Sequence, residues 1–128
     1  MAKFLYENIV EILLERFPEF SRSEHYDKQD HDLPYAVWSG FGTFIANHIH
    51  SVPEHQLESD TLVVKLFEFA NELMSDGDDD VQTIVVIELF EMFYVDRIML
   101  TLARHKIRSE HISWLERQGE WLKAGDKN

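Results

Sequence analysis

The stretch from Asp60 to Tyr94, DTLVVKLFEFANELMSDGDDDVQTIVVIELFEMFY, constrains the fold more than any other part of the chain. Its first arm sets Leu62, Leu66, Phe69, Ala70 and Leu73 on one stripe and turns Lys65, Glu68 and Glu72 away. That is the three-and-four spacing of an amphipathic helix. An acidic bend follows, Asp76-Gly77-Asp78-Asp79-Asp80. Gly77 stands where a helix C-terminus takes a left-handed residue. The three aspartates after it stand where the next helix takes a cap and negative charge. The second arm is more apolar still. Its TIVVI segment is β-branched and would suit a strand, but the run continues through Leu89, Phe90, Met92 and Phe93, long enough for a helix. On a helical wheel Glu88 and Glu91 are its only charges and share a narrow sector. A helix apolar over most of its circumference is packed on several sides. The stretch is therefore expected to be a helical hairpin whose second arm is central.

The flanking chain has the same character. Lys3 to Phe17 carries Leu5, Ile9, Ile12, Leu13 and Phe17 on one face and Glu7, Glu11 and Glu15 on another, an amphipathic helix stopped by Pro18. Ser21 to Asp32 is a polar linker with room for a short helical turn. Leu33-Pro34 opens a second helix, because proline suits a first turn. Its apolar face is Val37, Trp38, Phe41, Phe44, Ile45 and Ile49. Gly40 and Gly42 are poor helix formers at about 1 kcal/mol each against alanine, so close approach of a neighbouring helix is their expected purpose, with a local bend as the alternative. Ser59 is the expected cap of the hairpin's first arm, with Asp60 in its first turn. Asp96 is expected to cap a short basic helix through Ile107. Ser109 begins a last helix carrying Ile112, Trp114, Leu115, Trp121 and Leu122, and Gly125 to Asn128 are expected to fray. The fold class this predicts is all-α: one domain over residues 1–128, a compact bundle of five or six helices, either orthogonal or stacked as HEAT-like antiparallel pairs.

Charge narrows the partners. The chain has a formal net charge of −12, and residues 1–95 hold 19 acids against 5 bases. Such a surface repels nucleic acid and anionic membrane and attracts basic proteins. There is no cysteine, hence no disulfide and no thiol nucleophile. No 18-residue apolar span is present, and Glu7, Glu11 and Glu15 interrupt the apolar N-terminus. A cytoplasmic protein, monomeric when unbound, is the expectation.

Catalytic patterns fail when tested position by position. Asp76, Asp78 and Asp80 fit the first three ligand positions of a calcium loop, but Val81 and Ile87 stand where its glycine and final glutamate belong. His48 and His50 are two residues apart, which on a helix directs them differently. His31-Asp32 lacks the companion ligands of a metal-dependent phosphohydrolase, and no serine sits in a nucleophile elbow. No cofactor and no metal are expected. A metal-dependent hydrolase built from histidines and aspartates of residues 25–50 is the alternative from another class, and a helical adaptor in a larger assembly is a third. The bases Arg97, Arg104, Lys106 and Arg108 are expected to pair with the protein's own carboxylates.

LPYAVWSGFGTFIANHI (33–49) and LFEFANELMSDGDDDVQTIVVIELFEMF (66–93) resemble a family of small acidic helical bacterial proteins with a Leu-Pro-started helix and a helix–acidic turn–helix. In that family the second arm also opens with a β-branched run after Val-Gln, as at Val81-Gln82. Such proteins look like immunity proteins of contact-dependent growth-inhibition and other polymorphic toxin systems. The resemblance covers about half the chain. It implies a non-enzymatic antitoxin that binds a cognate toxin domain one to one, often a basic nuclease, and occludes its active site. The expected contacts are Asp76, Asp78, Asp79 and Asp80, then Glu88 and Glu91, with Asp27, Asp30 and Asp32 as a second patch.

Overall fold

A computed structural model describes residues 2–126, with side chains through residue 121. The described chain is all-α, with eight α-helices and no strand: α1 Ile9–Arg16, α2 Pro18–Ser21, α3 Pro34–Ser51, α4 Thr61–Asp76, α5 Asp79–Ile84, α6 Glu91–Val95, α7 Arg97–Lys106 and α8 Ser109–Asp126. Between α5 and α6 the backbone continues as a π-helical stretch, Val85–Phe90, so residues 79–95 form one uninterrupted arm. This arm is central as expected. Its π-helical stretch packs on α3, α4 and α8, and α6 packs on α7 and α8. Val81, Ile84, Val85, Leu89, Phe90 and Phe93 are all fully buried along it. The β-branched run that suggested a strand instead falls where the helix widens. Such residues crowd the preceding turn of an α-helix, and the π turn begins at Val85-Val86.

A second centre of packing is aromatic. Phe17 sits 4.8 Å from Phe41 and 5.6 Å from Phe69 between ring centroids, and Trp38 stacks on Phe69 at 6.2 Å. Tilted and edge-to-face pairs of this kind add about 0.5–1.5 kcal/mol beyond burial alone. The Trp38 Nε1–H is buried and has no acceptor among the described residues.

Several local expectations are corrected. The N-terminal helix does not begin at Lys3. Lys3 sits at a bend and Phe4 pairs with Gly77: both donate their backbone N–H groups to the Asp76 carbonyl, at 2.8 and 3.1 Å, while Asp78 N–H returns a bond to the Phe4 carbonyl at 3.0 Å. A single 3₁₀ turn, Tyr6–Asn8, then leads into α1. Gly77 is not left-handed: its φ is −82° and ψ 153°. It is glycine because a Cβ there would overlap the Leu73 carbonyl oxygen and come within 2.5 Å of Val81 Cγ1. Ser59 ends a 3₁₀ turn, Glu54–Ser59, and it is Asp60 that caps α4, accepting from Leu62 and Val63 N–H at 3.1 and 3.0 Å. Gly40 meets the linker rather than a helix, since a Cβ would overlap the His25 carbonyl oxygen; Gly42 does face the central arm, at Met92. Asp96 caps α7 through Met99 N–H as predicted. The fraying expected of Gly125 to Asn128 falls partly outside the described residues, as do Lys127, Asn128 and the side chain of Leu122.

Candidate functional site

The acidic bend divides into aspartates that build the turn and aspartates that face outward. Asp78 is structural on both oxygens. Oδ1 accepts from Val81 N–H at 2.9 Å, capping α5, and Oδ2 accepts from Tyr6 N–H at 3.0 Å, holding the N-terminal segment. Asp76 contributes its carbonyl to that segment and exposes its side chain. Gln82, from the second arm, closes the bend by donating to the carbonyls of Met74 and Gly77 at 3.2 and 3.1 Å. Asp79 and Asp80 lie in the first turn of α5 with exposed side chains, where negative charge suits the helix dipole.

Further along the same arm, Glu88 and Glu91 line a groove against α3. Burial, and then the charge of Glu91, push the Glu88 carboxyl above the usual range for glutamate. Tyr35, at the start of α3, joins the groove to the bend. Burial raises its hydroxyl pKa, with further contributions from Tyr6 and from the charges of Asp80 and Glu88. Asp80, Glu88, Glu91 and Tyr35 thus belong to one face. Among the described residues no cation pairs with Asp79, Asp80, Glu88 or Glu91.

The second predicted patch is dispersed. Asp27 accepts from Gln29 N–H at 2.9 Å and caps a short 3₁₀ turn, Lys28–Asp30. Asp32 lines a recess with Tyr6, Glu7, Glu11 and His31. Asp30 ends the 3₁₀ turn, apart from the central arm. Among the aromatics of this region, Trp38 is fully buried, Tyr26 hydrogen-bonds His31 at 2.9 Å, and Tyr35 is exposed. Sequence inspection missed Ile87, which is 41% exposed and stands as a ridge between two grooves. The second groove, about 320 Å³, runs along Met74, Gln82, Thr83 and Val86 to Trp114. The signal for Ile87 was helical spacing, since it lies four residues beyond the exposed Thr83, and the apolar character of the run obscured it.

The histidines of residues 25–50 diverge. His25 meets Asn47, His31 meets Tyr26 and Glu11, His48 meets Asp60 and His50 meets Asp96. No group of three or more His, Asp or Glu among the described residues is arranged to hold a metal ion. Ser75 Oγ lies 3.0 Å from the buried His111 Nε2, but it also accepts from Arg108 at 3.2 Å, and none of the grooves above reaches it. With Asn71, which accepts from Arg108 N–H at 2.9 Å and donates to the Lys106 carbonyl at 3.0 Å, the pair ties α4 to the α7–α8 corner. No described helix is long and apolar enough to cross a membrane.

The fold and face define an acidic all-α domain with an unpaired anionic surface beside apolar grooves. The chain belongs to a family described as a domain of unknown function, DUF7674, whose model matches residues 10–121. No curated protein matches the chain, and no solved structure matches it.

Proposed function

We propose that this chain is a protein-binding inhibitor of the immunity type: a cytoplasmic, non-enzymatic antitoxin that seats a basic effector domain, such as a nuclease, on its anionic face and blocks it one to one. The observation that carries the proposal is the gathering of Asp80, Glu88 and Glu91 beside Tyr35 and Ile87, with Asp79 in the second groove across the Ile87 ridge and none of the four paired with a cation among the described residues. Some acids elsewhere are matched by the protein's own cations, as in Arg16–Glu72, Lys65–Glu19 and Arg104–Glu116, while others, such as Glu15 and Glu68, are exposed singly without an ion pair among the described residues. Unmatched charge around apolar and aromatic side chains supplies both steering and contact. Nucleases carry positive charge to hold phosphate, so a surface of this kind complements them. The name of the system rests on the resemblance of residues 33–49 and 66–93 to immunity proteins.

The test is to seek a basic effector domain encoded beside this gene and to co-express the two. Growth should be restored, and native mass spectrometry of the pair should give a one-to-one complex. Asp79→Lys with Asp80→Lys should slow association and flatten its salt dependence. Recovery only in larger assemblies would identify an adaptor, and unchanged neutralisation by the double variant would move the interface to another face.

A further inference from the structure

The groove between α3 and the second half of the central arm encloses about 470 Å³, and its walls are mostly apolar. Its base is narrow because α3 comes close to the arm at Gly42, where a Cβ would stand 3.1 Å from Met92 Sδ and 3.8 Å from the Glu88 carbonyl oxygen. Ala46 and Met92 line it, and Ile87 and the exposed Val95 stand along its rim. Glu88 and Glu91 are both half-buried in this lining, and neither is among the paired acids.

An uncharged apolar side chain would leave two neighbouring carboxylates further desolvated and still unmatched. An anionic one would be repelled. A side chain with an apolar stem and a cationic head satisfies both parts of the lining. Between the two candidates, a guanidinium offers five donors in a planar fork and pairs with carboxylates in bidentate fashion, whereas an ammonium is a more strongly hydrated point charge. We propose that this groove is a receptacle for an arginine side chain of the protein partner, its stem along Ala46, Met92 and Val95 and its guanidinium between Glu88 and Glu91. The assignment deepens the inhibitor reading and rests on it for the partner being a basic protein. Met92 adds adaptability, since an unbranched thioether refills irregular space around different neighbours.

The probe is a short capped peptide, acetyl-Gly-Arg-Gly-amide, with its lysine and citrulline counterparts, titrated into methyl-labelled full-length protein and followed by NMR. The arginine peptide should shift the methyl signals of Ala46, Ile87, Met92 and Val95 saturably, the lysine peptide should bind several-fold more weakly, and the uncharged citrulline peptide should not saturate. Glu88→Gln with Glu91→Gln should weaken arginine-peptide binding about tenfold or more while unfolding as cooperatively as the parent. Shifts confined to the Asp79–Asp80 turn, equal binding of arginine and citrulline peptides, or unchanged binding in the double variant would each overturn the assignment. Effector neutralisation lost in the Asp79→Lys/Asp80→Lys variant but intact in the Glu88→Gln/Glu91→Gln variant would overturn the arginine receptacle and leave the inhibitor standing. A peptide that seats in the groove of a chain that forms no effector complex would do the reverse.

Discussion

Acidic residues behave differently on two sides of this molecule. On the side built by α1, α2 and α4, Glu72 lies 2.9 Å from Arg16 and Glu19 lies 3.0 Å from Lys65. Where α3 ends, His48 reaches Asp60 at 2.8 Å and His50 reaches Asp96, so two helix caps are each held by an imidazole. Burial acts to raise the pKa of Glu19, Asp60 and Asp96, but hydrogen bonds and neighbouring cations outweigh it and all three end below their usual range. Along the arm the balance reverses. Glu88 is raised by burial and by Glu91, with nothing to oppose them. Ionised carboxylates therefore favour the fold on the first side and strain it on the second. The difference separates acids that help hold this protein together from acids whose charge the fold leaves uncompensated.

The largest expected effect tests the paired side through the core beneath it. Phe17 is fully buried against Phe41 and Phe69, and the Lys65 ammonium lies 4.8 Å from its ring centroid. Phe17→Ala should destabilise the fold by about 3–5 kcal/mol in urea unfolding. A loss below about 1 kcal/mol would mean that this aromatic cluster is not what stabilises the paired side.

Next come the caps. Asp60→Asn should cost up to about 1 kcal/mol, and Asp60→Ala about 0.5–2 kcal/mol, since the side chain satisfies both Leu62 and Val63 N–H groups. The pH dependence follows in sign. Asp60 and Asp96 have folded pKa values below the ordinary 3.8, so the stability they confer is present above that value and is lost as pH falls through the folded ones. Acid unfolding of the parent should therefore steepen below about pH 4, and the steepening should shrink in an Asp60→Asn/Asp96→Asn double variant. An unchanged acid limb would remove the caps from the paired side of the comparison.

Much of the fold was legible in the sequence, and the part that was not has physical causes. The hairpin, the centrality of residues 79–95, the Leu-Pro helix start and the Asp96 cap all follow from local periodicity and capping chemistry. The N-terminal segment was misread because Leu5, Ile9 and Leu13 keep helical spacing while the backbone of Lys3 and Phe4 is claimed by the Asp76 carbonyl, a contact more than 70 residues away in the chain. Gly77 was read by the commonest use of glycine at a helix end, when its actual constraint is crowding by Leu73 and Val81. In the site, composition found the acids but could not sort them. Asp78 carries two backbone hydrogen bonds and Asp79 carries no cation, a distinction visible only after the chain has folded. Ile87 lies four residues beyond the exposed Thr83, so constant pitch predicts its exposure, but its place between two grooves depends on which neighbours pack beside it.

A smaller effect is expected at Arg16. Its guanidinium pairs with Glu72 and also lies 5.2 Å from the Phe69 ring centroid and 5.9 Å from that of Phe4. Exposed ion pairs contribute about 0–1 kcal/mol, and the stem packing adds to that. Arg16→Ala should therefore cost more than Glu72→Gln, with both inside about 1.5 kcal/mol on thermal or urea unfolding. Equal losses would show that charge alone, not the aromatic contact, gives the paired side its stability.

The smallest effect is the most discriminating, because its sign is opposite to all the others. At neutral pH an ionised Glu88 is held in a half-buried groove beside Glu91, and like charges one helical turn apart destabilise by about 0.2–0.5 kcal/mol. Because its folded pKa lies above the usual 4.5, the folded state binds that proton more tightly than the unfolded chain does. Its ionisation therefore erodes stability as pH rises through the ordinary value toward the raised one, the mirror image of Asp60 and Asp96. Glu88→Gln should stabilise the unbound protein slightly at pH 7 and leave stability unchanged below pH 4, while weakening its complex with a basic partner. A residue whose removal improves the fold and harms binding is there for binding. Destabilisation by Glu88→Gln at pH 7 would instead place Glu88 with the paired acids and dissolve the contrast between the two sides.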